Sequence, residues 1–92
     1  MTRLCVWMVD MWYLYILQCG DGTLYTGITT DVEKRLEAHR TGKGAKYTRG
    51  RGPLLLCYQE ACGGYADALR REHAIKKLSR KEKMALIAGN RE

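Results

Sequence analysis

Residues 12–18 read W-Y-L-Y-I-L-Q, apolar or aromatic at nearly every position, which predicts a strand covered on both faces at the centre of a sheet. Cys19-Gly20-Asp21-Gly22 marks a tight connection, and residues 23–29 (T-L-Y-T-G-I-T) predict a second strand. Thr30 and Glu33 form a T-x-x-E capping box that opens a helix to about Arg40, and Gly42 ends it. Residues 40–53 read as a basic, glycine-rich loop, after which Pro53 introduces a third strand over 54–59. Beyond Cys62-Gly63-Gly64 a helix is predicted over about 66–78, and Ser79-x-x-Glu82 is a second capping box for a last helix closed by Gly89. The order β-β-α-β-α-α describes an α+β fold, a small three-stranded antiparallel sheet flanked by helices.

The hairpin register follows from side-chain alternation. Tyr15 and Tyr25 share a face only if the connection has an odd number of residues, and the loop Gly20-Asp21-Gly22 satisfies this, with Gly22 in its left-handed position. Cys19 then faces Thr23, Leu17 faces Tyr25, and Tyr15 faces Gly27, so two phenols flank a residue with no side chain. The hairpin alone is equally compatible with tyrosines that cover a core and leave their hydroxyls at its rim.

Ninety-two residues give one domain with one small core. The net charge of +6 and pI near 9.3, with 46% apolar residues, describe a chain that folds and attracts polyanions, nucleic acid ahead of an acidic small molecule. Cys5, Cys19, Cys57 and Cys62 have no CxxC spacing and read as reduced thiols. Arg3 and the apolar run from Leu4 to Leu17 have the outline of a signal peptide, but Asp10 interrupts the run and no small-residue cleavage site follows. No stretch approaches the roughly 20 apolar residues of a membrane helix, so a soluble, cytoplasmic protein with no membrane partner is expected. Met8 and Met11 precede the first strand, which makes residues 1–10 a dispensable extension and 11–89 the domain.

Arg35 and His39, four apart, project from the stripe of Val32 and Leu36 that should face the sheet. Arg35 has the fork that matches two phosphate oxygens, although a solvated pair with Glu37 would also satisfy it. His39 alone would read equally well as a surface histidine. Glu72 lies between Leu69 and Ile75 in the middle of an apolar arc, whereas His73 points away and should be exposed. A carboxylate there costs on the order of several kcal/mol in desolvation unless a partner offsets it. Arg35 would serve as an ion-pair partner, and so would a divalent metal. The loop carries Arg40, Lys43, Lys46, Arg49 and Arg51 with no acid, and Tyr47 among them for stacking on an unpaired base. The later helices add Arg70, Arg71, Lys76, Lys77, Arg80, Lys81 and Lys83, which read first as a solvated face.

These residues resemble the GIY-YIG nuclease superfamily, and within it the small stand-alone bacterial YhbQ-like branch. The likeness covers about Met11 to Leu86: Tyr13-Leu14-Tyr15 stands at the first motif and Tyr25-Thr26-Gly27 at the second, with Arg35, His39 and Glu72 following at the family's intervals. Tyr13 replaces the first glycine, Ile28 replaces a lysine frequent after the second motif, and the only asparagine, Asn90, lies farther from Glu72 than in many catalytic members. The resemblance implies a metal-dependent endonuclease acting on structured or single-stranded DNA, in preference to RNA, in repair or nucleic-acid processing.

In that reading Tyr15, Tyr25, Arg35 and His39 are catalytic, Glu72 holds one Mg²⁺ or Mn²⁺ ion, and Gly27, Arg40, Lys43, Lys46, Tyr47, Arg49 and Arg51 contact nucleic acid. Running a phenol that titrates near pH 10 as a base at pH 7 needs roughly 4 kcal/mol of help, which a metal and Arg35 would supply in large part. Either tyrosine suits the role of base. With no second domain to target it, selectivity is expected to come from a protein partner. Two alternatives stand beside the enzyme: a non-catalytic nucleic-acid-binding module on the same fold, and a protein-interaction domain with an incidental basic surface.

Overall fold

A computed structural model describes residues 11–89 of the chain. The N-terminal extension 1–10 and Asn90 lie outside the described residues. The element order is β1 (Trp12–Gln18), β2 (Leu24–Thr29), α1 (Val32–Arg40), a short 3-10 turn (Lys46–Thr48), β3 (Leu55–Gly63), α2 (Tyr65–Lys76) and α3 (Arg80–Gly89). The three strands form one antiparallel sheet in the order β2-β1-β3, so the two-sided apolar strand is central as its composition requires.

The hairpin register is the one the loop length dictates. Tyr15 pairs with Gly27 and Leu17 with Tyr25, while Cys19 donates its N–H to the Thr23 carbonyl at 2.8 Å and Gly22 takes φ +87°. Alternation then divides β1 between two faces. Leu14 and Ile16 enter the core with Tyr58, Ile75 and Ile87, closed by Leu24, Ile28, Leu78 and Leu86, so α2 and α3 cover this side. Tyr15 faces the opposite side, where α1 lies.

Several boundaries differ from expectation, three of them for a visible reason. Helix α1 starts one residue later than a Thr30 cap would place it: Asp31 is the N-cap, and its carboxylate accepts the Lys34 N–H at 3.1 Å. A charged acceptor at the helix N-terminus outcompetes the Thr30 hydroxyl, and the Thr29 hydroxyl meanwhile accepts from the Asp31 N–H. Strand β3 runs to Gly63, four residues past Gln59, because Glu60 and Ala61 continue the ladder opposite Leu14 and Tyr13. Helix α2 begins at Tyr65, its first turn tied by the Asp67 carboxylate accepting the Gly64 N–H at 3.3 Å. The Ser79 and Glu82 capping box is present in both directions, at 2.8 and 3.1 Å.

Gly42 (φ +82°) ends α1 in a Schellman turn, with the Lys43 N–H on the Ala38 carbonyl at 2.8 Å and the Gly42 N–H on that of His39 at 3.1 Å. This turns the chain sharply back across the end of α1. The basic loop is then pinned to the hairpin, since Gly20 N–H donates to the Arg51 carbonyl and Arg51 pairs with Asp21, each at 2.5 Å. Among the described residues no helix is long and apolar enough to cross a membrane.

Candidate active site

The Tyr15 face of the sheet carries the polar residues. Tyr15 is 2% exposed, and its hydroxyl meets Nε2 of His39 at 2.9 Å, which joins the central strand to the last turn of α1. His39 is also 2% exposed, so it is a member of the interior and not a surface histidine. Gly27 lies beneath the Tyr15 ring: a Cβ there would stand 2.5 Å from Oη and 3.1 Å from Cε2 of Tyr25. Gly27 is therefore buried packing that lets the two rings converge.

The far side of His39 is built by the loop. Its Nδ1 meets the Thr48 hydroxyl at 2.9 Å, and Gly44 is pressed against the imidazole so closely that a Cβ would stand 2.7 Å from Cγ. Tyr25 completes an aromatic cluster, its ring centroid 5.3 Å from that of His39 and 6.3 Å from that of Tyr15. Tyr47 stacks on Tyr25 at 5.8 Å, and the Arg51 guanidinium lies 4.5 Å from the Tyr47 ring centre. Tyr47 and Arg51 are thus partly engaged within the protein, Arg51 by Asp21 as well. Arg40 reaches the Leu54 carbonyl at 3.5 Å, while Lys43, Lys46 and Arg49 are exposed and in none of the ion pairs among the described residues.

Arg35 is exposed and pairs with neither Glu37 nor Glu72. Its charge nevertheless reaches both buried groups. Burial pushes the Tyr15 hydroxyl above its ordinary value, against the opposing pull of Arg35; the charges of Tyr25 and Glu72 add to the rise. Burial, reinforced by Arg35, holds His39 below its ordinary value. Among the groups present, desolvation outweighs the pull of Arg35 on Tyr15.

Glu72 projects from α2 with its side chain 14% exposed, as its place in the apolar arc requires. Its partner is Lys76, one turn on, at 3.1 Å, a spacing legible as E-x-x-x-K. His73 is exposed. No group of three or more His, Cys, Asp or Glu side chains able to hold a metal occurs among the described residues. One carboxylate fits a hard ion that keeps several waters and takes substrate oxygens, provided the Lys76 ammonium yields its place. Lys76 also lines a groove of about 280 Å³ with Lys83, Leu24, Tyr25, Thr26 and Tyr47, so two cations of the supposed solvated face border the aromatic cluster.

The structure thus groups Tyr15, Tyr25 and His39, lets the charges of Arg35 and Glu72 act on Tyr15, and adds Thr48, Gly44 and Lys76. Thr48 and Gly44 lie in a loop with no periodicity to reveal their direction, and only their folded positions identify them.

Comparison with known proteins agrees with this fold. The GIY-YIG catalytic domain family matches residues 11–85. A UPF0213 protein of Streptococcus agalactiae is 53% identical over 75 residues, covering 82% of this chain and 85% of the relative. One from Halobacterium salinarum is 51% identical over 77 residues, covering 84% and 100%. Among solved structures, the solution NMR structure of a UPF0213 protein from Bacillus halodurans superposes with a TM-score of 0.56 at 50% identity, covering 85% of this chain and 83% of that one. A protein from E. faecalis superposes at 0.61 with 35% identity, covering 92% of each.

Proposed function

The chain belongs to the GIY-YIG family, a nuclease family, and from that premise we propose that it is a metal-dependent endonuclease hydrolysing phosphodiester bonds of structured or single-stranded DNA. The observation that carries the reading is the buried 2.9 Å contact between the Tyr15 hydroxyl and Nε2 of His39. A phenol held above its ordinary value stays protonated at neutral pH, and an imidazole held below its ordinary value stays neutral. Such a pair acts as a relay and not as a standing phenolate.

Tyr15 takes a proton from the attacking water as its own proton passes to Nε2. The hydroxide oxygen bonds to phosphorus, the phosphorus bond to the leaving oxygen breaks, and that oxygen gains a proton from solvent. Arg35 neutralises the phosphate. Tyr25, whose hydroxyl has no protein partner among the described residues, positions the water or a phosphate oxygen. Glu72 would hold one Mg²⁺ or Mn²⁺, which supplies Lewis-acid stabilisation of the charge that develops on the phosphate.

The strand would run past Tyr25 and Tyr47 along the groove bordered by Lys76 and Lys83, with Lys43, Lys46 and Arg49 on the loop side. Cations and aromatic faces without a groove-reading element favour recognition of structure and of unpaired strands over sequence. Roles in DNA repair or nucleic-acid processing, with a protein partner to target the enzyme, fit that breadth.

One observation favours a second reading, a non-catalytic nucleic-acid-binding module: Lys76 already neutralises Glu72. The test is cleavage of end-labelled single-stranded, nicked, flapped and branched DNA with Mg²⁺, Mn²⁺ or chelator, with Glu72→Gln and Glu72→Ala alongside. Metal-dependent cleavage lost in both variants establishes the nuclease. Binding without cleavage on every DNA and RNA substrate, unchanged in Glu72→Gln, establishes the module.

A further inference from the structure

Behind the Tyr15–His39 pair lies a buried polar group that the mechanism above does not use. Thr48 is 2% exposed, and its hydroxyl stands 2.9 Å from Nδ1 of His39 and 2.9 Å from the Ala45 carbonyl. The 3-10 turn holds it there, since the Thr48 N–H also donates to the Ala45 carbonyl at 3.1 Å. The Ala45 N–H also points at the same Nδ1, as a donor at 3.3 Å.

A neutral imidazole carries one proton, and these partners decide where. With the proton on Nδ1, an unbroken series of 2.9 Å bonds results: Tyr15 O–H to Nε2, Nδ1–H to the Thr48 oxygen, and Thr48 O–H to the Ala45 carbonyl. With the proton on Nε2, Thr48 must turn its hydroxyl from the carbonyl to Nδ1, where it competes with the Ala45 N–H for one lone pair. The first arrangement keeps all three 2.9 Å contacts and leaves the Ala45 N–H, 3.3 Å away, without an acceptor; the second satisfies that N–H and gives up the shorter Thr48 bond to the carbonyl.

We propose that Thr48 is a positioning residue for the relay, accepting Nδ1–H so that the lone pair on Nε2 faces the Tyr15 hydroxyl. Its catalytic consequence rests on the nuclease reading. When the Tyr15 oxygen takes a proton from water, its own O–H bond breaks and an Nε2–H bond forms, and the imidazolium keeps Nδ1–H on Thr48. In the other tautomer Nε2 already bears a proton and the transfer has no acceptor. A carboxylate is the commoner orienter of a catalytic histidine, and it would also raise histidine basicity. A hydroxyl orients without adding charge, which leaves His39 neutral beside Tyr15, Tyr25 and Arg35, the polar groups that face it from β1, β2 and its own helix.

The test uses imidazole nitrogen NMR of the full chain with Thr48→Ser and Thr48→Val. Serine keeps the hydroxyl, while valine keeps the shape without it. The proposal expects His39 protonated at Nδ1 in wild type and in Thr48→Ser, with Nε2–H appearing in Thr48→Val, where the Ala45 N–H takes Nδ1 unopposed. On a cleaved DNA substrate, Thr48→Val should lose about ten- to hundred-fold in kcat at unchanged KM, and Thr48→Ser should recover it. Nε2–H in the wild-type spectrum overturns the proposal even if Thr48→Val fails to fold. So does an unchanged tautomer or an unchanged kcat in a folded Thr48→Val. Wild type that shows Nδ1–H, shifts as expected in Thr48→Val and cleaves nothing supports the Thr48 assignment and removes the nuclease reading instead.

Discussion

Adding one methyl group at Gly27 should silence the site while leaving the protein folded. The Cβ of Gly27→Ala would stand 2.5 Å from Oη and 2.7 Å from Cζ of Tyr15, and 3.1 Å from Cε2 of Tyr25. Ordinary contacts between carbon atoms lie at about 3.5–4.0 Å, so the Tyr15 ring must retreat by roughly 1 Å. The backbone has little freedom to give way, because Gly27 is paired with Tyr15 in the ladder between β1 and β2. Retreat carries the hydroxyl off Nε2 of His39, now 2.9 Å away, and out of hydrogen-bond range.

A misplacement of about 1 Å in a reacting group costs about a hundred-fold in rate, and overpacking a filled site costs about 1–3 kcal/mol of stability. In a domain of this size each kcal/mol lowers Tm by roughly 4–8 °C, so the variant remains folded for assay at room temperature provided the wild type melts in the usual range. Gly22→Ala is the control. Its φ of +87° makes any side chain strained, yet a Cβ there meets nothing within 4 Å, so it should cost about 1 kcal/mol and leave cleavage intact. Rates on nicked and flapped DNA, measured beside thermal melts, separate the two. Cleavage by Gly27→Ala at close to the wild-type rate would refute the claim that Gly27 sets the Tyr15 position. Equal losses in both variants would show a global effect.

Three further outcomes follow from the same contacts. Because burial and Arg35 hold His39 below its ordinary value, the unfolded chain takes up its proton first; stability from this source is complete above about pH 6.5 and is lost as pH falls through the folded value. His39→Gln should flatten the loss of Tm between pH 7 and 5, and parallel curves would contradict the assignment. Replacing Lys76 and Lys83 by alanine should weaken single-strand binding and make the slope of log K against log salt shallower by about 1.4, whereas an unchanged slope would remove both from the groove. The Thr26 hydroxyl is buried with no partner among the described residues, so Thr26→Val should raise stability by about 1 kcal/mol in urea melts; a loss would reveal a partner.

The fold was legible because period and loop length act locally. Seven consecutive apolar and aromatic residues with an odd-numbered loop suffice to place Tyr15 opposite Gly27, and the observed pairing agrees residue for residue. Helical phase likewise placed Glu72 in an apolar arc. Glu72's partner was missed although it was equally local: Arg35 or a divalent metal was expected, and Lys76, one turn on in the same helix, takes the carboxylate. Thr48 was invisible for another reason. It belongs to a single 3-10 turn in a glycine-rich loop, where direction depends on the Schellman turn at Gly42 and on the pinning of Arg51 to the hairpin. A polar residue there looks like any other loop threonine until the loop closes over His39.

Two polar networks of similar ingredients lie on opposite faces of this sheet, one partly buried and one buried, and their difference bears on the proposed relay. On the core side Tyr58 donates to Glu60, which Arg71 of α2 holds at 2.7 and 3.2 Å, with the Cys62 thiol donating at 3.7 Å. Burial pushes Glu60 up, but the Arg71 and Tyr58 hydrogen bonds more than offset this and hold it below the usual carboxylate value, while donating to Glu60 raises Arg71. Both stay charged at neutral pH, the charges cancel, and burial together with Glu60 pushes the Tyr58 hydroxyl and the Cys62 thiol up, so no proton has a favourable place to move. That network fastens α2 to β3. On the other face the shifts favour uncharged forms: Tyr15 is raised and His39 lowered, so both rest neutral, one holding a proton and the other a lone pair 2.9 Å apart. Their ion pair is disfavoured at rest, and a proton arriving from a reacting water is what makes the transfer possible without leaving a charge on Tyr15. A closed network of opposite charges builds structure, and a neutral donor facing a neutral acceptor beneath an exposed arginine is what the proposed relay requires.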